Sequence, residues 1–423
     1  LFKELEFDSF IKEEKIEVAD ILSNYETILK EEDFKNLLKI LNKQQHVSLD
    51  LETTSVLAIS AKIIGISFSF EPGSGYYIPL GHTEDIVQLD INHVLKELKP
   101  ILENKKIKKI GQNLKYETII FKNYGIDLDG IYFDTMIAAH SIDSSLQSYS
   151  LDNLARRFLD YKMISYKDVT KVDKKSIPFA DVPIDKASTY SCEDADITLK
   201  LYSFFLERLK KYNLLENFLD YEIPFIKVLA DIEFVGVNIN VKRLAKLSKE
   251  FHKIITDIQA RIYKLIEKEI NLNSPMQLRE VLFNELGLKP NKKTKTGEFS
   301  TDSQTLQGIV DQHDVVELIL LYRFYSKLQT TYIDALPDLI DEGTKRIHTS
   351  YNHVGTSTGR LSSSSPNLQN IPIKTSEGKR IRDSFTSANK SKLIMSADYS
   401  QIELRLLAHF SLDPLMVESF NAN

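Results

Sequence analysis

The chain has 423 residues, 42% hydrophobic and 27% charged, the balance of soluble globular protein with length for roughly two to four domains. A net charge of −6 excludes a basic nucleic-acid coat, and a single cysteine, Cys192, excludes a disulfide framework and fits a reducing cytoplasm. Apolar runs such as LILLY at 318–322 are too short to span a membrane, and the acidic, amphipathic start LFKELEFDSF is not a signal peptide.

Residues 1–35 read as a charged helical connector with no starting Met, as if an upstream domain were missing. From Val47 to about Leu80 the text is strand-like. HVSLDLETT and KIIGISFSF alternate, and GYYIPL follows a turn at Pro72–Gly73, the pattern of an antiparallel meander. Helices then interleave with short strands through INHVLKELKPILE, KKIGQ, LKYETIIFKNYG, YFDTMIAAHSI, SLDNLARRFL and KASTYSCEDADITLKLYSFFLERLKKY. This predicts an α/β domain over residues 36–212.

Residues 213–340 read as mostly helical. A long helical stretch over 222–270 is interrupted by GVNIN, a short strand or turn. In NSPMQLREVLF, Ser274 is a cap and Pro275 the first helical residue. A Lys-rich loop over 289–301 holds Lys289, Lys292, Lys293 and Lys295, and a helix follows at about 304–333. Residues 341–423 read as strand and loop, then a buried strand Leu393–Met395 carrying Asp398 into an amphipathic helix. Between Gly343 and Arg382 seven basic residues (Lys345, Arg346, Arg360, Lys374, Lys379, Arg380, Arg382) face one acid, Glu377, among hydroxyl and amide side chains suited to phosphate and base-edge contacts.

Four acids stand out. Asp50 and Glu52 are two apart on a strand, so both project from one face, while Leu49 and Leu51 point into a core. Asn113 and Glu117, and likewise Tyr190 and Asp194, are four apart on predicted helices and share a face. Alone, a D-x-E strand is a solvated edge. If the two helices bring Glu117 and Asp194 to the strand pair, the set suits two divalent cations, with Tyr190 placed to orient a water.

These segments resemble the three motifs of the DEDD 3′→5′ exonuclease superfamily in its Tyr-containing subclass: Asp50 and Glu52, then Glu117, then Tyr190 and Asp194. GQNLKYE and YSCEDADIT further resemble the proofreading domain of bacterial family A DNA polymerases. The resemblance implies a ribonuclease H-like fold, two Mg²⁺ ions per site (Mn²⁺ as a substitute), and Asn113 and Val56 facing the terminal nucleotide. It departs at Glu117, where the family normally has Asp.

SADYSQIELR, at 396–405, is similar to motif A of the family A polymerases. The resemblance makes Asp398 the holder of both polymerase metals, assigns Asp398, Tyr399, Gln401 and Glu403 to the dNTP, and gives Glu403 the exclusion of ribonucleotides; Arg405 is nearby support. TSTGRLSSSSPNLQNIP, at 356–372, resembles the template–primer segment, with Arg360 reading the minor groove and Asn367, Gln369 and Asn370 on the backbone. The helical region resembles a thumb that grips duplex phosphates through Lys292 and Lys293.

The expectation is an α/β exonuclease domain, a mostly α thumb, and the incomplete start of an α+β palm. The partners implied are primer–template DNA, single-stranded 3′ ends and dNTPs, and the protein is expected to be a cytoplasmic monomer. The fingers helix and the second palm acid have no counterpart after Phe410, so the sequence reads as a fragment of a longer polymerase that lacks polymerisation on its own. Two alternatives stay open: a ribonuclease D-like exonuclease, which has no use for motif A, and a DNA-binding remnant with a decayed site, favoured only by Glu117.

Overall fold

A computed structural model describes residues 24–172, 175–290, 297–387, 389 and 391–422. They fall into two compact units, one reaching Gly236 and including Ala335–Ile371, the other formed by Val237–Asp334 and the residues from Pro372 onward.

The first unit is built on a six-stranded sheet. Its strands are β1 (Asn24–Thr27), β2 (His46–Thr53), β3 (Ile63–Ser69), β4 (Ser74–Pro79), β5 (Lys108–Gly111) and β6 (Ile131–Asp134), in the order β1-β4-β3-β2-β5-β6. The β2–β3–β4 meander is antiparallel as the alternation predicts, and β5 and β6 add in parallel. Every residue of β3 is buried because helices cover both faces of this central strand.

On one face Leu49 and Leu51 pack with α1 (Glu31–Leu41), α2 (Ile91–Leu102) and α3 (Leu114–Asn123). The other face is crossed by α5 (Ile184–Lys211), which also packs against α4 (Thr135–Ile142). The side chains of Asp50 and Glu52 therefore lie on the α5 side, Asp50 opposite Ser67 and Glu52 opposite Gly65. Gly65 is required there: a Cβ would overlap the Tyr77 ring, which fills the space above it.

Three expectations for this unit change. Residues 24–27 are not helical but form edge strand β1, paired in parallel with β4. Its alternate residues explain this, because the Tyr25 hydroxyl donates to Asp196 Oδ2 at 3.0 Å and Thr27 Oγ1 to Ser188 Oγ at 2.7 Å, both on α5. The helical stretch expected over 222–270 is divided. Its first part, α6 (Ile223–Val235), packs against α3 in this unit. The strand-and-loop region does not stay together either: the hairpin Ser350–Asn352/Ser362–Ser364 belongs here, and motif A belongs to the other unit.

The second unit is helical, with α7 (Val241–Ile266) packed along α8 (Asp314–Leu328). GVNIN contributes a short strand, Asn238–Ile239, paired with Phe385–Thr386. Ser274 accepts from Gln277 N and Pro275 opens a helix, as the capping pattern predicts. The helix expected over 304–333 is broken, with a short helix at Ser303–Gln307 capped by Gly308 before α8 begins.

Candidate active site

Asp50 and Glu52 from β2 and Asp194 from α5 offer carboxylate oxygens within 4.8 Å of one another. Each neighbour fixes part of this arrangement. Ser191, one turn before Asp194, donates from Oγ to Glu52 Oε1 at 2.8 Å. Tyr190 lies one turn before Asp194 on α5 and close enough for the Asp194 charge to act on its phenol. Burial pushes the Asp50 carboxyl up to about 6. Burial first, then repulsion from Asp50, holds Glu52 and Asp194 well above the carboxylate range. Burial and the Asp194 charge raise the Tyr190 phenol.

Glu117 stands beside this group rather than within it. It sits in the first turn of α3, 3% exposed, and its Oε2 has no hydrogen-bond partner in the protein. Burial, and then the charge of Asp50, raise its pKa well above the ordinary value. A buried carboxylate oxygen without a donor, next to three converging carboxylates, is a costly arrangement that a hard divalent cation satisfies. The donor set therefore fits metal ions.

The start of α3 is fixed from two sides. Asp134, fully buried, accepts from Leu114 N at 2.7 Å through Oδ2 and from Met136 N and Ile137 N through Oδ1, capping α3 and α4 together. Tyr116 bonds Thr53 Oγ1 at 2.5 Å and donates to the Ser55 carbonyl, tying α3 to the end of β2. Asn113 is not a helical residue sharing a face with Glu117, as the spacing suggests. It precedes α3 with φ 64, a left-handed conformation that asparagine tolerates. It nonetheless borders the same cavity as Glu117.

That cavity, about 700 Å³, is lined by Asp50, Asn113, Tyr116 and Glu117 on one side, by Ser148 and Tyr149 on another, and by Asn352, Val354 and Thr356 from the hairpin segment. A second cavity of about 300 Å³ shares Asn113 and Tyr116 and includes Val56, whose side chain is exposed. Tyr166 stacks on Phe179 at 15°, and Phe179 packs against Tyr190.

Several of these residues carry little sequence signal. Asp134 was findable as a cap, an Asp directly before TMIAAHSI. Ser191, Tyr166 and Phe179 have no motif of their own.

The residues expected at the second site are differently placed. Arg360, Asn367, Gln369 and Asn370 are exposed on the hairpin and the loop after it, in the first unit. Lys292 and Lys293 lie outside the described residues. Of the basic run, Arg346 donates to the Val235 carbonyl at 2.8 Å and Arg380 pairs with Glu250, so these two serve the fold. The buried strand expected at Leu393–Met395 is absent: Leu393 and Met395 are 94% and 88% exposed. An apolar strand is buried only by partner strands, and among the described residues none pairs with this segment. Asp398 and Tyr399 follow on exposed chain, Gln401 precedes α9 (Ile402–Ser411) with φ 54, and Glu403 is in the first turn of α9. The Arg405 guanidinium lies 4.7 Å from the Phe420 ring centroid.

The family model for DNA polymerase family A matches residues 241–423, and that for the 3′-5′ exonuclease matches residues 25–210, starting within β1. By these matches the chain is similar to DNA polymerase family A over its second half and to the 3′-5′ exonuclease over its first. It is 37% identical over 438 residues to DNA polymerase I of Pseudomonas aeruginosa, covering 99% of this chain and 48% of that protein. It is 40% identical over 400 residues to DNA polymerase I of Borreliella burgdorferi, covering 94% and 43%. The chain thus spans about half the length of the curated relatives it matches. Among solved structures it is similar to the POL domain of Pol1 from M. smegmatis in complex with DNA primer-template and dNTP, with a TM-score of 0.77, 29% identity, and coverage of 93% of this chain and 64% of that one. No helix among the described residues is long and apolar enough to cross a membrane.

Proposed function

We propose that this chain removes nucleotides from DNA 3′ ends by hydrolysing the terminal phosphodiester at the Asp50–Glu52–Glu117–Asp194 site. The observation that carries the reading is the convergence of three carboxylates within 4.8 Å beside a buried Glu117 oxygen that lacks a partner. Asp50, Glu52 and Asp194 would hold one divalent cation, and Asp50 with Glu117 a second; Mg²⁺ is the proposed ion and Mn²⁺ its substitute. Bound there, such ions supply a nucleophile at neutral pH and offset charge on the phosphodiester.

The protein's own part is positional. Ser191 holds Glu52, Tyr190 beside Asp194 offers its phenol to a water, and Asp134 holds the start of the helix that bears Glu117. The polar cavity beside them, bordered by Asn113 and the hairpin, would receive a single-stranded end. Asp398, with Tyr399, Gln401 and Glu403, is proposed as the metal- and dNTP-holding segment of template-directed synthesis in a complete enzyme. Arg360, Asn367, Gln369 and Asn370 are its proposed primer–template contacts. The domain assignment proposed is exonuclease over 36–212 joined by β1, thumb over 213–340 and palm from 341, in a cytoplasmic monomer.

The test is a 5′-labelled primer–template with a 3′ mismatch, incubated with Mg²⁺ beside an Asp50→Ala control. Shortening that the control abolishes is expected. Equal shortening by both, or none by either, would sink the proposal.

A further inference from the structure

We propose that Lys115 and Glu233 are positioning residues for the exonuclease site, setting together the helix that carries Glu117 and the hairpin that walls the same cavity. This rests on the exonuclease reading above.

Lys115 lies two residues before Glu117 on α3. Its side chain is 12% exposed, and its Nζ is 2.6 Å from Glu233 Oε1 on α6, itself 7% exposed. The same two groups grip one residue of the hairpin. Tyr351 N–H donates to Glu233 Oε1 at 2.6 Å, and the Tyr351 carbonyl accepts from Lys115 Nζ. One buried ion pair therefore joins α3, α6 and the hairpin strand. A second ion pair between α3 and α6, Lys122–Asp231, leaves its aspartate 52% exposed and is correspondingly weak. Removing one partner of a buried pair leaves the other charge unpaired, so this joint resists opening.

The joint matters because of what it aligns. Asn113, Tyr116 and Glu117 reach the cavity from α3, and Asn352, Val354 and Thr356 reach it from the hairpin. The Asp50–Glu52–Asp194 group is supplied by β2 and α5, neither of which the joint touches. Loosening the joint should release Glu117 and one wall of the cavity while leaving the three-acid group intact.

The experiment uses the full chain with Mn²⁺ as probe, counting bound ions by electron paramagnetic resonance. It also measures kcat and KM for trimming a 5′-labelled single strand. Lys115→Met is expected to keep the first Mn²⁺, lose the Glu117-dependent one, and lower kcat on the order of tenfold to a hundredfold, the scale of a small misplacement in a positioned site. Glu233→Gln, which keeps the acceptor for Tyr351 but leaves the Lys115 charge without its counter-charge, is expected to lower kcat less than Lys115→Met does. Should Lys115→Met fail to fold, Lys115→Met/Glu233→Leu leaves no buried charge unpaired and is expected to show the same two losses. Folded variants that match the wild type in both ion count and kcat would overturn the proposal. A wild type showing neither Mn²⁺ uptake nor Asp50-dependent trimming would instead overturn the exonuclease reading, and this inference with it.

Discussion

Asp50→Asn should make the metal-free protein more stable while abolishing 3′ trimming. In the folded chain Asp50 is pushed from its ordinary 3.8 up to about 6 by burial. A raised carboxyl value means that the folded state holds a proton the unfolded state has lost. Stability from this group is complete below about pH 3.8 and lost as pH rises through about 6. At pH 7.5 the ionised form thus withholds about 3 kcal/mol of folding stability, a ceiling on what the neutral amide restores. Each kcal/mol moves a midpoint by roughly 2–4 °C for a unit of this size.

The assay is thermal unfolding in chelator, following the transition of the exonuclease unit, at pH 7.5 and pH 4.5. The variant should melt higher at pH 7.5, and the gap should narrow at pH 4.5, where the wild-type carboxyl is itself protonated. Saturating Mg²⁺ should also narrow the gap at pH 7.5, because only the wild type gains from binding it. A variant no more stable than the wild type in chelator would refute the claim that the unliganded acids strain the fold.

Other consequences are as direct. Gly65→Ala should destabilise the exonuclease unit by about 1–3 kcal/mol in chemical denaturation, because the new methyl meets the buried Tyr77 ring. Asp134→Ala orphans three backbone N–H groups and should cost about 2 kcal/mol, with slower trimming because the start of α3 loses its cap. Asp398→Ala lies on exposed chain and should leave melting within about 0.5 kcal/mol of wild type and trimming unchanged.

How much of this was legible depended on the range of the interactions. The meander showed because side chains alternate along each strand, and the placement of Tyr190 one turn before Asp194 showed because helical spacing is local. Strand β1 was hidden: four residues carry too little periodicity, and its partners Ser74–Tyr77 lie some fifty residues away. Asn113 was read as helical because its neighbours are, whereas its left-handed backbone is set by where α3 must begin. The Lys115–Glu233–Tyr351 joint could not be read at all, since its members are separated by more than a hundred residues. At Leu393–Met395 the apolar run suggested a buried strand, but burial needs partner strands, and none among the described residues pairs with it.

The most direct measurement of the central claim is mononucleotide release from a 3′-labelled single strand under Mg²⁺, comparing wild type with Glu117→Gln. The account predicts steady release of single labelled nucleotides by the wild type and loss of that release in the variant, because position 117 would no longer offer a charged oxygen to the cation it is proposed to hold with Asp50. Release by the variant at the wild-type rate would contradict it and remove Glu117 from the site.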